Sequence, residues 1–339
     1  MTPRALGRAG PLVSPLGLGT MTFGAETPER EAHRQLDLYA AAGGTLIDTA
    51  DVYAGGASEE IVGRWARGRG GMHDLILATK CRFAPAPGSR GASRRAVLRA
   101  CEGSLKRLGV EAIDLLFVHG WDDMTPVAET LEALADLRRV GKIHHVGWSN
   151  VTGWQLERIV RTAHAEGLPA PCALQPQYNL LDRGIEAEVL PCALENGLGL
   201  TPWSPLGGGW LTGKYGRETP TGATRLGEDP ARGVEAHGLR NTERTHAVLD
   251  VLREVAARHE RPMAQVALAW LLERPGVASV LIGARTAEQL EGSLGAAALV
   301  LSAEDVEALT RVSAPGLAPY PYGFVRDWSG VTHWDRLGT

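Results

Sequence analysis

Short apolar runs alternate with amphipathic stretches along most of the chain, and this alternation is typical of a strand-helix-strand fold. Residues 5–15 predict a small hairpin that turns at Gly10-Pro11. Eight further apolar runs predict strands, at 16–21, 45–48, 75–79, 113–118, 144–148, 172–176, 198–203 and 277–282.

Helix start signals follow each of these strands. They include a proline in the first turn, a capping hydroxyl, and the capping-box pattern Thr286-x-x-Gln289. The predicted helices begin at Thr27 and end at Gly43, begin at Ser58, cover 93–108, begin at Thr125, cover 153–166 and 185–196, and begin at Thr242, Pro262 and Thr286. A long loop separates the seventh strand from the helix at Thr242.

Eight strands, each followed by a helix, predict an α/β fold with a parallel sheet, either open or closed into a barrel. Polar residues stand near the carboxyl end of strand after strand: Asp48, Lys80, His119, Asn150, Gln175, Ser204 and Arg285. In a barrel those ends share one face, which is where active sites of this fold lie. We therefore predict a (β/α)8 TIM barrel with an N-terminal β-hairpin, as a single domain over 1–339 with a core at 16–314 and a C-terminal tail at 315–339.

Composition and charge narrow the class of protein. The chain has 339 residues, 44% of them hydrophobic, so it can bury a large core, and its net charge of -4 argues against a nucleic-acid partner. No apolar run is long enough for a membrane span. The four cysteines lack Cys-x-x-Cys spacing, and no metal-binding motif is present, so we expect a cytoplasmic protein without a metal.

Four residues at neighbouring strand ends suit proton donation to a carbonyl oxygen: Asp48, Tyr53, Lys80 and His119. Tyrosine, whose ordinary pKa is about 10, is a slow acid at neutral pH. A nearby ammonium would lower that pKa, a buried carboxylate would hold the ammonium, and a histidine would orient the substrate oxygen. The alternative is a structural Asp–Lys ion pair beside a surface tyrosine.

A second group of residues suggests a nucleotide. Ser149, Asn150 and Gln175 could bind a nicotinamide carboxamide, and Trp203 could stack on a flat ring. The following segment of Ser204, Pro205, Leu206, Gly207 and Gly208 could approach phosphates, with Arg225 and Arg285 as phosphate ligands. Singly, each is more often an ordinary cap or a solvated side chain. The partial P-loop from Gly208 to Lys214 is rejected because Tyr215 replaces the hydroxyl residue that would hold magnesium.

These motifs resemble the aldo-keto reductase family over nearly the whole chain. The resemblance rests on residues 15–21, 48–53, 79–80, 118–119, 148–150, 175–179, 203–207 and 282–289. It implies hydride transfer from NADPH to an aldehyde or ketone, with Tyr53 as the acid. It also implies cofactor contacts from Thr20, Met21, Lys214, Gly283 and Gln289. The chain departs from the family at Gly292-Ser293, where two adenine contacts are usual, and at Trp148.

Three functions stay open at this point: an NADPH-dependent carbonyl reductase, a keto-sugar reductase of specialised metabolism, and a cofactor-binding regulatory subunit with little turnover. His119 favours an enzyme. We expect Met21, Phe23, Phe83 and Trp121 to line the substrate pocket around Tyr53 and His119. The expected partner is a small carbonyl compound, and self-association into a homo-oligomer is left open. The aromatic tail either packs passively or covers the catalytic face.

Overall fold

A computed structural model of the chain describes residues 1–83, 90–330 and Trp334. Eight parallel strands form a nearly closed barrel, with helices between them along the chain, so the predicted TIM barrel is confirmed. The hairpin is also confirmed, as β1 (Arg4–Ala5) and β2 (Leu12–Val13). The barrel strands are β3 (Leu16–Gly19), β4 (Leu46–Asp48), β5 (Ile76–Cys81), β6 (Ile113–Val118), β7 (Ile143–Ser149), β8 (Ala173–Gln175), β9 (Gly199–Leu200) and β10 (Val280–Ile282).

The barrel closes between its last two strands. From β3 to β9 each strand pairs in parallel with the next, and β10 pairs with β3. The remaining seam is bridged at Leu200 and Val277. There the Leu200 amide donates to the carbonyl of Gly276 at 2.7 Å, and the Ala278 amide donates to the carbonyl of Leu200 at 2.9 Å. An open sheet would leave this edge unpaired.

Apart from the helix expected over 185–196, the predicted helices begin within two residues of the observed ones. Four further helices among the described residues were not predicted: Arg225–Glu228, His237–Arg240, Ala303–Val312 and Phe324–Ser329. The observed helices are α1 (Glu29–Ala41), α2 (Ala57–Gly68), α3 (Arg94–Leu108), α4 (Val127–Arg139), α5 (Gly153–Ala165), α6 (Val189–Glu195), α7 (Arg225–Glu228), α8 (His237–Arg240), α9 (Glu243–Arg258), α10 (Met263–Leu272), α11 (Ala287–Leu294), α12 (Ala303–Val312) and α13 (Phe324–Ser329). Within the described ranges, none of these helices has the length and apolar character to cross a membrane.

Several predicted boundaries were wrong. The single helix expected over 185–196 is a short 3-10 turn at Gly184–Ala187 followed by α6. Pro191 explains the break, because a helix begun at 185 would place this proline beyond its first turn, where it removes a backbone hydrogen bond. Strand β5 runs past Lys80 to Cys81, whereas β9 is much shorter than the predicted 198–203.

The chain divides into two compact units. The first comprises Met1–Pro176, Cys192–Trp203 and Pro275–Leu294, and it contains the hairpin and every barrel strand. The second comprises Gln177–Pro191, Ser204–Arg274 and Gly295–Thr339, and it contains α7 to α10, α12 and α13. The single-domain organisation over 1–339 stays a prediction.

Apolar side chains fill the barrel of the first unit from the hairpin inward. Leu6 and Val13 of the hairpin region join a buried cluster with Leu46, Leu115 and Phe117 from the strands. The Phe117 ring lies against the strand neighbour Gly147, where an added Cβ would come within 2.4 Å of the ring. Packing of this kind leaves the carboxyl ends of the strands to carry polar groups.

Candidate active site

Asp48 and Lys80 form a buried ion pair inside the barrel. Asp48 is the last residue of β4, and Lys80 projects from the neighbouring β5 with no side-chain surface exposed to solvent. The Lys80 Nζ lies 2.5 Å from Asp48 Oδ1 and 2.7 Å from the carbonyl oxygen of Thr49. Burial alone would lower the pKa of this ammonium, but the adjacent Asp48 carboxylate and Tyr53 outweigh burial and raise it. Lys80 therefore stays charged at neutral pH.

The third partner of Lys80 is Tyr53. Its hydroxyl oxygen lies 3.1 Å from Lys80 Nζ. The residue opens a tight turn in which Ala54, Gly55 and Gly56 all have positive φ, and the two glycines make such a turn accessible. Burial raises the pKa of Tyr53, although Lys80 acts in the opposite direction. Lys80 lowers this pKa as expected from the sequence, but desolvation is the larger effect, so the net shift is upward.

His119 follows β6 and points its ring edge toward two aromatic neighbours. Its ring centroid is 6.1 Å from that of Tyr53 and 5.0 Å from that of Phe83. Burial, together with the charges of Lys80 and Arg82, lowers the pKa of His119 to about 3. The imidazole is therefore neutral at physiological pH. Among the described residues, its buried Nδ1 has no hydrogen-bond partner.

Gln175 extends the charged cluster across the barrel. Its side-chain amide donates to Asp48 Oδ2 at 2.9 Å, so each oxygen of this carboxylate has its own donor. The hydroxyl of Ser149 donates to the backbone carbonyl of Gln175 at 2.8 Å. Two of the predicted carboxamide ligands are thus hydrogen-bonded into the same network as Lys80 and Tyr53.

Asn150 connects His119 with Trp203. Its amide nitrogen donates to the carbonyl oxygen of His119 at 3.0 Å, and its amide oxygen accepts from Trp203 Nε1 at 3.1 Å. Asn150 has a φ of +53°, in the left-handed region that asparagine adopts more readily than most other non-glycine residues. Trp203 is half-buried and has no aromatic ring partner in the described part of the chain.

These residues of the first unit fit a nicotinamide ring. A donor-acceptor group matching a carboxamide is available from Ser149 and Asn150, and Trp203 offers an indole to a flat heterocycle. The unpartnered Nδ1 of His119 is a feature expected where a ligand is bound. The chemistry of the side chains is therefore compatible with the predicted cofactor.

The glycine-rich segment belongs to the second unit and forms a cluster of its own. Ser204, with a φ of +51°, donates from Oγ to Glu235 Oε1 at 2.7 Å and accepts from the Gly208 amide at 3.3 Å. Pro205, Leu206 and Gly207 lead from Ser204 into a 3-10 turn at Gly207–Thr212. The exposed Lys214 folds back over Gly209, where an added Cβ would lie 2.6 Å from its Cε. Arg225 begins α7 in the same unit.

The predicted adenosine end lies in the first unit, after β10. Gly283 is exposed, and the amide of Arg285 donates to Gln289 Oε1 at 3.0 Å. One bond of the expected capping box is present, because the backbone amide of Gln289 donates to Thr286 Oγ1 at 3.3 Å. In the other bond, the Gln289 side chain accepts from the backbone amide of Arg285 instead of that of Thr286. The half-buried Arg285 guanidinium lies 4.0 Å from Glu26. At Gly292-Ser293, where the sequence differs from the usual family pattern, the Ser293 hydroxyl donates to the carbonyl of Gln289 in the same helix.

The remaining predicted residues differ in exposure. Thr20 is buried, and its hydroxyl donates to the backbone carbonyl of Asp48 at 3.0 Å, whereas Met21 is 42% exposed. Among the predicted pocket residues, Phe83 is exposed and Trp121 is half-buried, but no part of Phe23 reaches solvent. Trp148 lies outside the barrel interior, where it lines a small cavity with Val118 and Thr130.

The sequence did not identify two residues that lie near the tetrad of Asp48, Tyr53, Lys80 and His119. Asp51 is 2% exposed, and within the described ranges neither of its carboxylate oxygens has a hydrogen-bond partner. Arg82 follows β5 with a φ of +106°. The signals were a second carboxylate three residues after Asp48 and a second cation two residues after Lys80. Neither signal specifies a contact, so the sequence alone did not single them out.

Comparison with known proteins decides the family. The model of the Aldo/keto reductase family matches residues 15–314, which include all eight barrel strands and the tetrad. The chain belongs to the aldo/keto reductase family. As a member, it is an oxidoreductase of carbonyl compounds that works with a nicotinamide cofactor.

Three relatives of this aldo/keto reductase illustrate the range of the family. The uncharacterized oxidoreductase YrpG of Bacillus subtilis is 36% identical over 319 residues, covering 91% of this chain and 94% of that protein. A probable voltage-gated potassium channel subunit beta of rice is 34% identical, covering 86% and 89%. The norsolorinic acid reductase stcV of Emericella nidulans is 33% identical, covering 88% and 78%.

Proposed function

We propose that this aldo/keto reductase uses NADPH to reduce an aldehyde or ketone to an alcohol, with Tyr53 as the proton donor. The observation that carries the proposal is the 3.1 Å contact between Lys80 Nζ and the Tyr53 hydroxyl, in which Lys80 is itself fixed by Asp48. When bound, the cofactor supplies the hydride. The residues of the chain then have to orient the carbonyl and deliver one proton.

Tyr53 is in the correct protonation state before the reaction. A phenol is protonated at neutral pH even at its ordinary pKa of about 10, so the proton is available for the developing alkoxide. Burial raises the pKa of Tyr53 and so weakens it as an acid, and the contact with Lys80 opposes this effect. As that proton leaves, negative charge forms on the phenolate oxygen beside Lys80. The ammonium is already in place and already desolvated, so it stabilises this charge without rearrangement.

His119 acts as a neutral hydrogen-bond donor in this proposal. An imidazole whose pKa is lowered to about 3 does not carry a proton to spare at pH 7, so it is a poor general acid. One ring nitrogen of the neutral form still bears hydrogen and can donate to the substrate oxygen. We therefore assign orientation and polarisation of the carbonyl to His119, and protonation to Tyr53.

We further propose a set of residues that bind the cofactor. Ser149, Asn150 and Gln175 would hold the carboxamide, with Trp203 against the ring. The glycine-rich segment, namely Ser204, Pro205, Leu206, Gly207 and Gly208, would meet the pyrophosphate together with Lys214. Arg285 and Arg225 would bind the 2′-phosphate of NADPH through their fork of donors. Thr20, Met21, Gly283 and Gln289 complete the proposed set.

A regulatory subunit with little turnover is the second candidate, because the rice relative carries the name of a channel subunit. Retention of the complete set of Asp48, Tyr53, Lys80 and His119 favours an enzyme. A cytoplasmic location would suit the proposed reductase, and all four cysteines are unpaired.

A carbonyl screen tests the proposal. NADPH oxidation would be followed at a fixed enzyme concentration with aromatic aldehydes, ketoaldehydes and nucleotide-linked keto-sugars, each repeated with His119→Asn and with NADH. We expect turnover of at least one class by the wild type and a strong loss in the variant. Tight NADPH binding without turnover of any class would support the regulatory subunit and contradict the reductase.

A further inference from the structure

Arg82 has a backbone conformation that its residue type disfavours. Its φ is +106°, which glycine adopts easily and side-chain-bearing residues rarely do. The strain is held in place by the surrounding chain, because the Gly91 amide donates to the carbonyl oxygen of Arg82 at 2.9 Å. A strained, non-glycine residue immediately beyond a catalytic strand directs attention to what its side chain does there.

The guanidinium of Arg82 is largely unused by the protein. Its Nη2 donates to the backbone carbonyl of Trp121, and its Cζ lies 4.4 Å from the centre of the Phe83 ring. The buried Nε has no hydrogen-bond partner in residues 1–83, 90–330 and Trp334. Over the same residues, no carboxylate lies within ion-pair distance of Arg82. The residue as a whole is half-buried.

Asp122 is the carboxylate whose pKa Arg82 affects, and its oxygens already accept other hydrogen bonds. Arg82 contributes to lowering the pKa of Asp122, although the hydrogen bonds of that carboxylate with its own turn contribute more. Asp122 Oδ2 accepts from the Ala92 amide at 2.7 Å and from the Thr125 hydroxyl at 3.0 Å, and Oδ1 accepts from the Met124 amide at 3.1 Å. Asp122 therefore stabilises a turn and does not pair with the Arg82 guanidinium.

Arg82 lies one aromatic ring away from the carbonyl-orienting histidine. Phe83, which carries the Arg82 cation against its face, packs edge-on against His119 at 5.0 Å between ring centroids. The charge of Arg82 reaches His119, whose pKa it helps to lower. By contrast, the charge of Lys80 is balanced by Asp48. Arg82 is therefore a cation near His119 that no carboxylate of the described residues balances.

We propose that Arg82 is a specificity-determining residue, and that it binds a carboxylate carried by the substrate several bonds from the reacting carbonyl. The proposal rests on the proposed function, because it names the substrate class for the same site. A guanidinium presents planar, fork-like donors that match a carboxylate in two places. The bond from Nη2 to Trp121 orients the guanidinium before a ligand arrives, and preorganised donors bind with a smaller loss of entropy.

Matched substrate pairs and three variants test this. The ratio of kcat/KM for 4-carboxybenzaldehyde to that for its methyl ester would be measured with NADPH, and likewise for 5-oxopentanoate and pentanal. The informative variant is Arg82→Gly, because glycine accepts the φ of +106° and removes the guanidinium without adding strain. Arg82→Lys keeps the charge but loses the fork. Arg90→Gln removes an exposed arginine from the other side of the same segment and controls for general charge attraction.

We expect the wild type to favour the acid by about tenfold to a hundredfold, the range set by charge-assisted hydrogen bonds. Arg82→Gly should reduce the ratio to about one or below, Arg82→Lys should give an intermediate value, and Arg90→Gln should keep the wild-type ratio. A ratio that is equal in the wild type and in a folded Arg82→Gly would overturn the carboxylate assignment while leaving the reductase activity standing. If none of the four compounds is turned over but the carbonyl screen finds another substrate, the carboxylate assignment is overturned and the reductase stands. If no compound of either set is turned over, the proposed function is contradicted, and this inference with it.

Discussion

The side-chain amide of Gln175 donates to Oδ2 of Asp48 at 2.9 Å, although the two residues are 127 positions apart in sequence. Asp48 closes β4 and Gln175 closes β8, so the bond connects strands that are not neighbours in the barrel. Because Oδ1 of the same carboxylate holds Lys80, this bond fixes the ion pair from the opposite wall. The orientation of Lys80 therefore depends on contacts that reach across the barrel.

The free energy of unfolding should fall sharply when Lys80 is replaced by methionine. The Lys80→Met change leaves the Asp48 carboxylate buried without its ammonium, and removal of one partner of a buried pair costs about 3 kcal/mol or more. The double variant Asp48→Asn/Lys80→Met should recover part of that loss, since both charges are gone. Urea unfolding of the wild type, both single variants and the double variant measures the coupling. Strict additivity would show that the pair contributes nothing specific.

Asp51 should make the protein less stable as pH rises from about 4 to about 7. Burial raises the pKa of Asp51 from 3.8 to about 7, the neighbouring Glu59 adds to the rise, and Arg107 and Lys80 oppose it. The folded state therefore binds a proton that the unfolded state has already released. Stability is complete below the unfolded pKa and is lost as pH rises through the folded pKa.

The variant Asp51→Asn has no such dependence. Its stability relative to the wild type should increase between pH 5 and pH 8 by about 2 kcal/mol or more, since each pKa unit corresponds to about 1.4 kcal/mol. Thermal or urea unfolding at the two pH values provides the comparison. A relative stability that does not change with pH would mean that Asp51 is already ionised in the folded protein at pH 5.

Much of the fold could be predicted because the hydrophobic pattern agrees with the positions of turn residues and helix caps. Strand β6 was predicted to the residue, since an apolar run is bounded by a polar residue at His119. Strand β9 was overestimated because an apolar stretch has the same appearance whether or not it finds a hydrogen-bonded partner. The helix predicted over 185–196 was too long because the helical pattern of apolar residues continues across the position where Pro191 restricts the helix.

The members of the site could be predicted, but their contacts could not. Residue type and strand-end position identified Asp48, Tyr53 and Lys80, which are bonded to one another in the structure. The net direction of the Tyr53 pKa depends on how much water surrounds the hydroxyl, and a sequence does not contain that quantity. The same holds for the φ of Arg82, because nothing local marks an arginine as adopting a conformation typical of glycine.

Arg285 should set the preference for NADPH over NADH. Arg285→Ala removes a guanidinium that would pair with the 2′-phosphate, so the KM for NADPH should rise about tenfold or more while that for NADH changes little. Initial-rate kinetics with both cofactors give the two constants. Equal KM values for the two cofactors in the wild type would remove the basis of this assignment.

The aromatic tail packs on its own unit through specific bonds. The Tyr322 hydroxyl donates to Glu188 Oε1, and Trp334 Nε1 donates to the carbonyl of Ala187, each at 2.9 Å. Residues 331–333 and 335–339 of the predicted tail lie outside the described part of the chain. We expect truncation after Ala314 to lower the Tm and to leave the relative kcat/KM for large and small carbonyl substrates unchanged. A selective loss for large substrates would instead indicate a lid over the catalytic face.

The most direct test of the account is the single-turnover rate of Tyr53→Phe with a saturating carbonyl substrate and prebound NADPH. Because the phenol supplies the proton while the ring contributes little to cofactor binding, the rate should fall about a hundredfold or more. The Kd for NADPH, measured by fluorescence titration, should stay within about twofold of the wild-type value. A variant that binds NADPH normally and retains more than about a tenth of the wild-type rate would contradict Tyr53 as the proton donor.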